Sequence, residues 1–208
     1  MATIKLQKKL VYEGTIILKT GLHIGGTNAA LNIGGPDKFV VRNPLNNIPY
    51  IPGSSLKGKL RALTEWAHGE SENGKPSSNP ESKAGALFGT AGDKGHASRI
   101  IVRDAELDIT ACNFENTDLP YTESKTEVCI DRVSAKANPR TFERVPAGAQ
   151  FKLNMVLNIF EGEDEEALKS TLKEAIALLE NDYLGGHGSR GYGQVEINFD
   201  KEGEEVKL

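Results

Sequence analysis

The amino-acid sequence predicts an α+β domain of the ferredoxin-like, split βαβ kind. Segments with strand and helix patterning follow one another as strand, helix, strand, strand, helix, strand. Two long polar stretches, near 69–97 and 121–145, interrupt that order and read as insertions, the first a flexible lid and the second a projecting arm. A chain of 208 residues suits one large domain, or a small domain that carries insertions, so 1–208 is read as a single unit.

Each element follows from its residues. Leu10 to Thr20 is rich in β-branched side chains and predicts a strand. Glycines and Pro36 mark a loop from Gly21 to Asp37, and Phe39–Arg42 reads as a short strand. Pro49 and Pro52 hold the chain extended before a helix. That helix should begin near Ser54 or Ser55, which are good N-caps, and end near His68-Gly69. Leu56, Leu60 and Leu63 recur at helical spacing, while Lys57 and Arg61 share another face. Residues 69–83 contain almost nothing apolar and predict a mobile surface loop. Arg99–Leu107 predicts one strand, and the polar arm after it a hairpin. Gln150–Phe160 alternates strictly and should bury one face. Asp164–Asn181 is amphipathic, with Leu168, Leu172, Ala175, Ile176 and Leu179 inward. A glycine-rich loop and a final strand, Gln194–Phe199, close the order.

Composition narrows the function. No apolar run approaches the roughly 18 residues of a membrane span, and the start of the chain lacks a secretory pattern. Cys112 and Cys129 form no Cys-x-x-Cys pair, which fits idle thiols in a reducing cytoplasm. The net charge of −4 speaks against nucleic acid, but its distribution matters more than its sum. Lys38, Arg42, Lys57, Lys59 and Arg61 lie in a stretch without one acid, while acids concentrate in 161–166 and 202–205.

Gly53-Ser-Ser-Leu-Lys-Gly-Lys-Leu60 nearly spells a Walker A loop. It fails at Leu60, which has no hydroxyl for magnesium, and two prolines stand where a central strand should lead in. Nucleotide hydrolysis is therefore set aside. The same residues fit an anion grip: amide N–H groups at a helix start, serine hydroxyls, a bare Gly58 and two cations on one face. They fit equally an ordinary solvated helix with a serine cap. Gly185–Gly193 has five glycines in nine residues, with His187, Arg190 and Tyr192 among them. Arginine pairs with phosphate and tyrosine can stack on a base, so the loop suits a nucleic acid; the plain alternative is a long turn.

Together these stretches resemble the RAMP superfamily of CRISPR proteins, and within it the backbone subunit of type III-A (Csm) effector complexes. The resemblance is carried by Gly21-Leu-His-Ile-Gly-Gly26, by Asn47–Arg61, by Ile130–Val133 with Ala137–Arg140, and by Asp182–Gly193. It implies a ferredoxin-like, RNA-recognition-motif-like palm with an inserted lid near 69–97 and a thumb hairpin over 121–145. It implies copies stacked as a filament on a CRISPR guide RNA, beside other subunits, each cutting complementary target RNA where its thumb interrupts the duplex. By the resemblance, guide-gripping positions map onto His23, Ser54, Ser55, Lys57, Lys59 and Arg61, onto Arg132, Lys136 and Arg140 of the thumb, and onto Gly186, Gly188 and Arg190. The family's catalytic aspartate maps onto Asp37.

Asp37 alone is a poor metal site, since magnesium takes one or two carboxylates plus phosphate oxygens and water. RNA phosphate would have to complete the shell of a divalent ion, Mg2+ or Mn2+. RNA also carries its own nucleophile, the 2′-hydroxyl, which Asp37 would orient or deprotonate once the nucleotide is splayed. Read without the family, a Pro-Asp pair simply shapes a turn. Three functions stay open: a metal-dependent endoribonuclease acting through Asp37, a non-catalytic filament scaffold, and a processing nuclease using His23 or His187.

Overall fold

The computed structural model describes residues 4–26, 36–71, 73–93 and 95–206. In chain order the elements are β1 (Leu6–Leu18), β2 (Tyr50–Ile51), α1 (Gly53–His68), α2 (Lys83–Phe88), β3 (Ile100–Val102), β4 (Ala105–Glu106), β5 (Glu123–Ile130), β6 (Ala137–Arg144), β7 (Gln150–Phe160), α3 (Glu165–Glu180) and β8 (Val195–Val206). Four strands form an antiparallel sheet in the order β3-β7-β1-β8. The β5–β6 hairpin stands apart from it, and β2 pairs with β4 in a third, small sheet.

The core lies on one face of the large sheet. Leu10, Tyr12, Ile16 and Leu18 alternate inward along β1, opposite Leu157, Met155 and Phe151 of β7. Leu56, Leu60 and Leu63 of α1 and Leu168, Leu172, Ala175 and Leu179 of α3 close over them in one continuous cluster. The α3 helix follows the sequence closely: Asp164 caps it by accepting the Ala167 amide, and Glu165 and Glu166 suit the positive end of its dipole.

The start of α1 differs from expectation. Its N-cap is Pro52, not a serine, and no side chain of the cap residue accepts a hydrogen bond. Instead Asp104 reaches across and accepts the Gly53 amide at 2.7 Å. Gly53 is needed there, since a Cβ would lie 2.3 Å from the Val102 carbonyl. This contact also explains why the strand predicted over Arg99–Leu107 is broken. The chain pairs with β7 as β3, turns at Arg103-Asp104 to cap the helix, then pairs with β2 as β4. Phe39–Arg42 makes single bridges at Val40 and Arg42 rather than a strand, and β8 runs on to Val206 because β1 is long enough to pair with it.

Residues 69–83, expected to be loose, are tied down where they are described. Arg61 donates to the Ser77 carbonyl and the Gly89 carbonyl, each at 2.9 Å, and to Glu65 at 2.8 Å. Glu65, itself buried, accepts the Ser77 amide. Glu70 accepts the amides of Lys83 and Ala84 and so caps α2. Low hydrophobicity misled the reading because the segment is held by polar anchors rather than by burial of apolar side chains.

Arg61→Ala is expected to lower stability by about 2–4 kcal/mol, because it strips hydrogen bonds from the loop and leaves Glu65 an unpaired buried carboxylate. Lys57→Ala should stay within about 0.5 kcal/mol. Equal urea midpoints for the two variants would show that Arg61 is not the anchor.

Candidate nucleic-acid interface

The hairpin β5–β6 leaves the sheet through a buried polar junction. Glu143, near the end of β6, is 1% exposed. Its carboxylate accepts the Val40 amide at 2.8 Å, the Arg42 guanidinium at 2.5 Å and the Thr122 hydroxyl at 2.7 Å. Arg42 also donates to the Asn47 and Pro120 carbonyls. The Glu143 amide donates to the Lys38 carbonyl, and its own carbonyl accepts from His23 Nδ1 at 2.6 Å. One residue thus fastens β6 to the 36–42 loop, to the Gly21–Gly26 turn and to the start of β5.

Asp37 sits at the edge of this junction. Its amide donates to the Thr141 carbonyl at 2.9 Å, and its Oδ2 accepts the Thr141 amide at 2.8 Å. The carboxylate is exposed, and Oδ1 accepts no hydrogen bond from the described residues. Among those residues no group of three or more His, Cys, Asp or Glu side chains gathers at one point to hold a metal. A divalent ion here would fit only as Oδ1 plus oxygens of a bound phosphate and water.

The glycine-rich loop closes against the same junction. The Gly186 amide donates to the His23 carbonyl at 2.8 Å, and the Gly193 amide to the Gly21 carbonyl at 3.0 Å. Gly188 starts a 3-10 turn directly on the Tyr183 ring, where a Cβ would come within 1.9 Å. His187 packs edge-on against Phe142 of β6 at 4.6 Å. Arg190 reaches the other strand of the hairpin, donating to Glu127 at 2.6 Å, and also contacts His187. Tyr192, expected to be available for stacking on a base, is 1% exposed beneath Lys125 and Arg144. Burial, then the Glu127 carboxylate, pushes its phenol up to about 12.

The residues singled out in the sequence therefore separate. His23 is buried and braces β6 from within. Lys59 is held by Asp182 at 2.8 Å over the Tyr183 ring, and Arg61 is committed to the 69–98 segment. Gly186 and Gly188 shape the loop, while Arg190 stays half-exposed in its pair with Glu127. Lys57 is different: it makes no ion pair with the described residues, and burial, helped by the charge of Arg61, lowers its ammonium. Ser54 is exposed and Ser55 half-buried, neither spent on the helix cap. Arg132, Lys136 and Arg140 are exposed along the hairpin, also without ion-pair partners among the described residues. What remains among the described residues is a set of unpaired cations and hydroxyls on α1 and along the hairpin, and one exposed carboxylate bonded to β6, groups suited to a polyanion.

Sequence reasoning missed Glu143, Arg42 as its partner, Asp104 and Glu127. The last two left a trace: Asp104 interrupts an apolar run, and Glu127 is an acid within a basic arm. Nothing local marks Glu143, two of whose partners lie about a hundred residues away and the third 21.

Comparison with known proteins places this geometry. A model of the RAMP superfamily matches residues 15–196. A protein of Methanocaldococcus jannaschii named CRISPR system Cms endoribonuclease Csm3 is 43% identical over 207 residues, covering 95% of this chain and 82% of that one. Its namesake in Streptococcus thermophilus is 43% identical over 192 residues, covering 90% and 86%. The crystal structure of a Csm3–Csm4 subcomplex of the type III-A interference complex is similar at a TM-score of 0.55 and 30% identity, over 93% of this chain and 77% of that one. A type III-B Cmr-beta structure bound to cognate target RNA shares the fold at a TM-score of 0.64 and 16% identity, over 94% and 62%. The chain belongs to the RAMP superfamily.

Proposed function

We propose that this chain is a CRISPR type III endoribonuclease: a subunit that binds guide RNA and cuts complementary target RNA within an effector complex. The observation that carries it is Asp37, an exposed carboxylate fixed by two hydrogen bonds to the base of a projecting hairpin. Relatives at 37–43% identity over nine-tenths or more of this chain are named CRISPR endoribonucleases. The antiparallel order β3-β7-β1-β8, with α1 and α3 on one face, supports a ferredoxin-like palm in which β5–β6 is the thumb and residues 69–97 the lid. Copies would stand side by side along one guide, in the cytoplasm, with other subunits of a type III-A complex. No described helix is long and apolar enough to cross a membrane.

Guide contacts fall to cations without a partner among the described residues and to the half-exposed Arg190, which would exchange Glu127 for a phosphate. Lys57, with Ser54 and Ser55 at the start of α1, meets a phosphate; Arg140 and Arg190 meet the strand near the hairpin base. Such contacts fix register without reading bases. At the cut, a splayed nucleotide sets its 2′-hydroxyl in line with the adjacent phosphate. The 2′-oxygen bonds to phosphorus, the bond to the 5′-oxygen breaks, and that oxygen takes a proton from solvent. Asp37 Oδ1 receives or orients the 2′-hydroxyl proton. A Mg2+ or Mn2+ would be held by Asp37 together with the bound RNA, and would neutralise charge at the phosphate. A histidine-based processing nuclease fits less well, because His23 is buried and spent on Glu143.

Asp37→Ala in the assembled complex is expected to abolish target cutting while guide binding stays within about twofold. Normal cutting by this variant would make the chain a non-catalytic scaffold. Lys57→Ala should weaken RNA binding similarly for every sequence and reduce the salt slope by about 1; an unchanged slope would remove Lys57 from the backbone contacts. Chelation of divalent ions should stop cutting, and added Mg2+ or Mn2+ should restore it, whereas cutting that persists in chelator would exclude the metal.

A further inference from the structure

Two buried polar atoms at the base of the hairpin make no hydrogen bond to the described residues: the Tyr192 hydroxyl and Oε1 of Glu127. Lys125 links them, its ammonium 3.7 Å from Glu127 Oε1 and 4.4 Å from the centre of the Tyr192 ring. Burial first, then Glu127, raises the Tyr192 phenol to about 12, so the hydroxyl stays a donor at neutral pH with a carboxylate beside it. Buried polar groups are nearly always paired. A donor and an acceptor left idle side by side point to a second arrangement in which they bond.

The other oxygen of Glu127 says when that arrangement is needed. Oε2 accepts Arg190 Nη1 at 2.6 Å. Arg190 is 51% exposed and can swing out to a phosphate, whereas Glu127 is 18% exposed and must stay behind. A half-buried carboxylate that loses its cation is costly unless another donor meets it. Arg140 stands directly opposite Glu127 in the hairpin ladder and could pair with it, but that would withdraw a second cation from the RNA. The Tyr192 hydroxyl can meet it at no such loss. It is 1% exposed, so it does not compete for RNA, and its hydrogen turns freely about the C–O bond.

We infer that Tyr192 receives the Glu127 carboxylate when RNA takes Arg190. In the free chain Glu127 Oε2 holds Arg190 in place. On RNA the guanidinium goes to a phosphate, and Glu127 accepts the Tyr192 hydroxyl and stays beside the Lys125 ammonium. Tyr192 is then a positioning residue of the RNA grip that touches no RNA itself. The inference rests on the reading of Arg190 as an RNA contact given above.

The test is a double-mutant cycle on the full chain, read as affinity for a fluorescein-labelled single-stranded RNA of mixed sequence by anisotropy. Tyr192→Phe should weaken binding about fivefold, the worth of one hydrogen bond. Glu127→Gln should bind at least as tightly as the unaltered chain, because no carboxylate then competes for Arg190. Adding Tyr192→Phe to Glu127→Gln should change affinity by less than about twofold, since no released charge needs a donor. An equal loss in both backgrounds, or no loss in either, would overturn the exchange. Urea unfolding without RNA reads the free chain: Tyr192→Phe should keep the unaltered midpoint, because its hydroxyl bonds nothing there, and a lowered midpoint would overturn the inference too. Arg190→Ala separates the two readings. If it binds RNA as the unaltered chain does, Arg190 is no RNA contact and both readings fall; if it binds weakly while the cycle shows no coupling, only the exchange falls.

Discussion

The Glu143 carboxylate is buried where the hairpin leaves the sheet, and the placement of the hairpin, of the 36–42 loop that carries Asp37 and of the Gly21–Gly26 turn depends on it. A buried carboxylate is costly unless it is paired and fully hydrogen-bonded. Here an amide from the 36–42 loop, the Arg42 guanidinium and the Thr122 hydroxyl satisfy it together. Two donors come from the 36–42 loop and the third from Thr122, about eighty residues later, so loop, strand and hairpin must come together in one arrangement to meet the requirement. A two-stranded hairpin is marginal in water by itself. This one is held at its root, where Glu143, His23 and Phe142 lock β6 to the turn and the glycine-rich loop.

The fold as a whole sorts the basic residues into two kinds. Lys59, Arg42, Arg61 and Arg144 are bound to acids inside the protein, where they stabilise the elements that surround the grip. Lys57, Arg132, Lys136 and Arg140 have no such partner among the described residues. The distinction matters more than the net charge of −4. A polyanion competes poorly for a cation already paired at 13–20% side-chain exposure, and readily for one left to solvent. Arg190 stands between the two kinds, half-exposed and paired with Glu127. A phosphate can take the place of that carboxylate without burying any new charge.

The parts of the fold legible in the sequence were those written in local patterns. Strict alternation placed β7 at Gln150–Phe160, and apolar spacing with an aspartate cap placed α3. Polarity and length marked the arm that became β5–β6. What was illegible depended on distant partners. The serine cap of α1 failed because Asp104, about fifty residues on, reaches its first amide. The polar 69–83 loop looked loose because Arg61 and Glu70 hold it through backbone groups, which carry no hydrophobic signal. At the site, the resemblance led to Asp37 and to the basic residues, but not to which of them are free. That depends on Asp182, Glu65 and Glu127, acids that look like surface charge until the chain is folded.

The candidate centre has one carboxylate where many nucleases gather several, and this follows from its surroundings. With Oδ2 accepting the Thr141 amide, Oδ1 is the oxygen without a hydrogen bond from the described residues, so Asp37 offers a fixed position. RNA brings the nucleophile and the phosphate oxygens itself, and alignment of the two accounts for most of what is needed. Alignment demands a rigid reference. Asp37 takes its reference from β6, since its amide and its carboxylate both pair with Thr141, two residues before Glu143. The hairpin, about 25 Å long by strand geometry, is therefore the frame that holds the carboxylate, and in the proposed function it is also the arm that meets RNA. Any load on the arm is carried through the β6 ladder to Thr141. A metal cluster of several carboxylates would need no such coupling; a single exposed aspartate does, and the polar root at Glu143 supplies it.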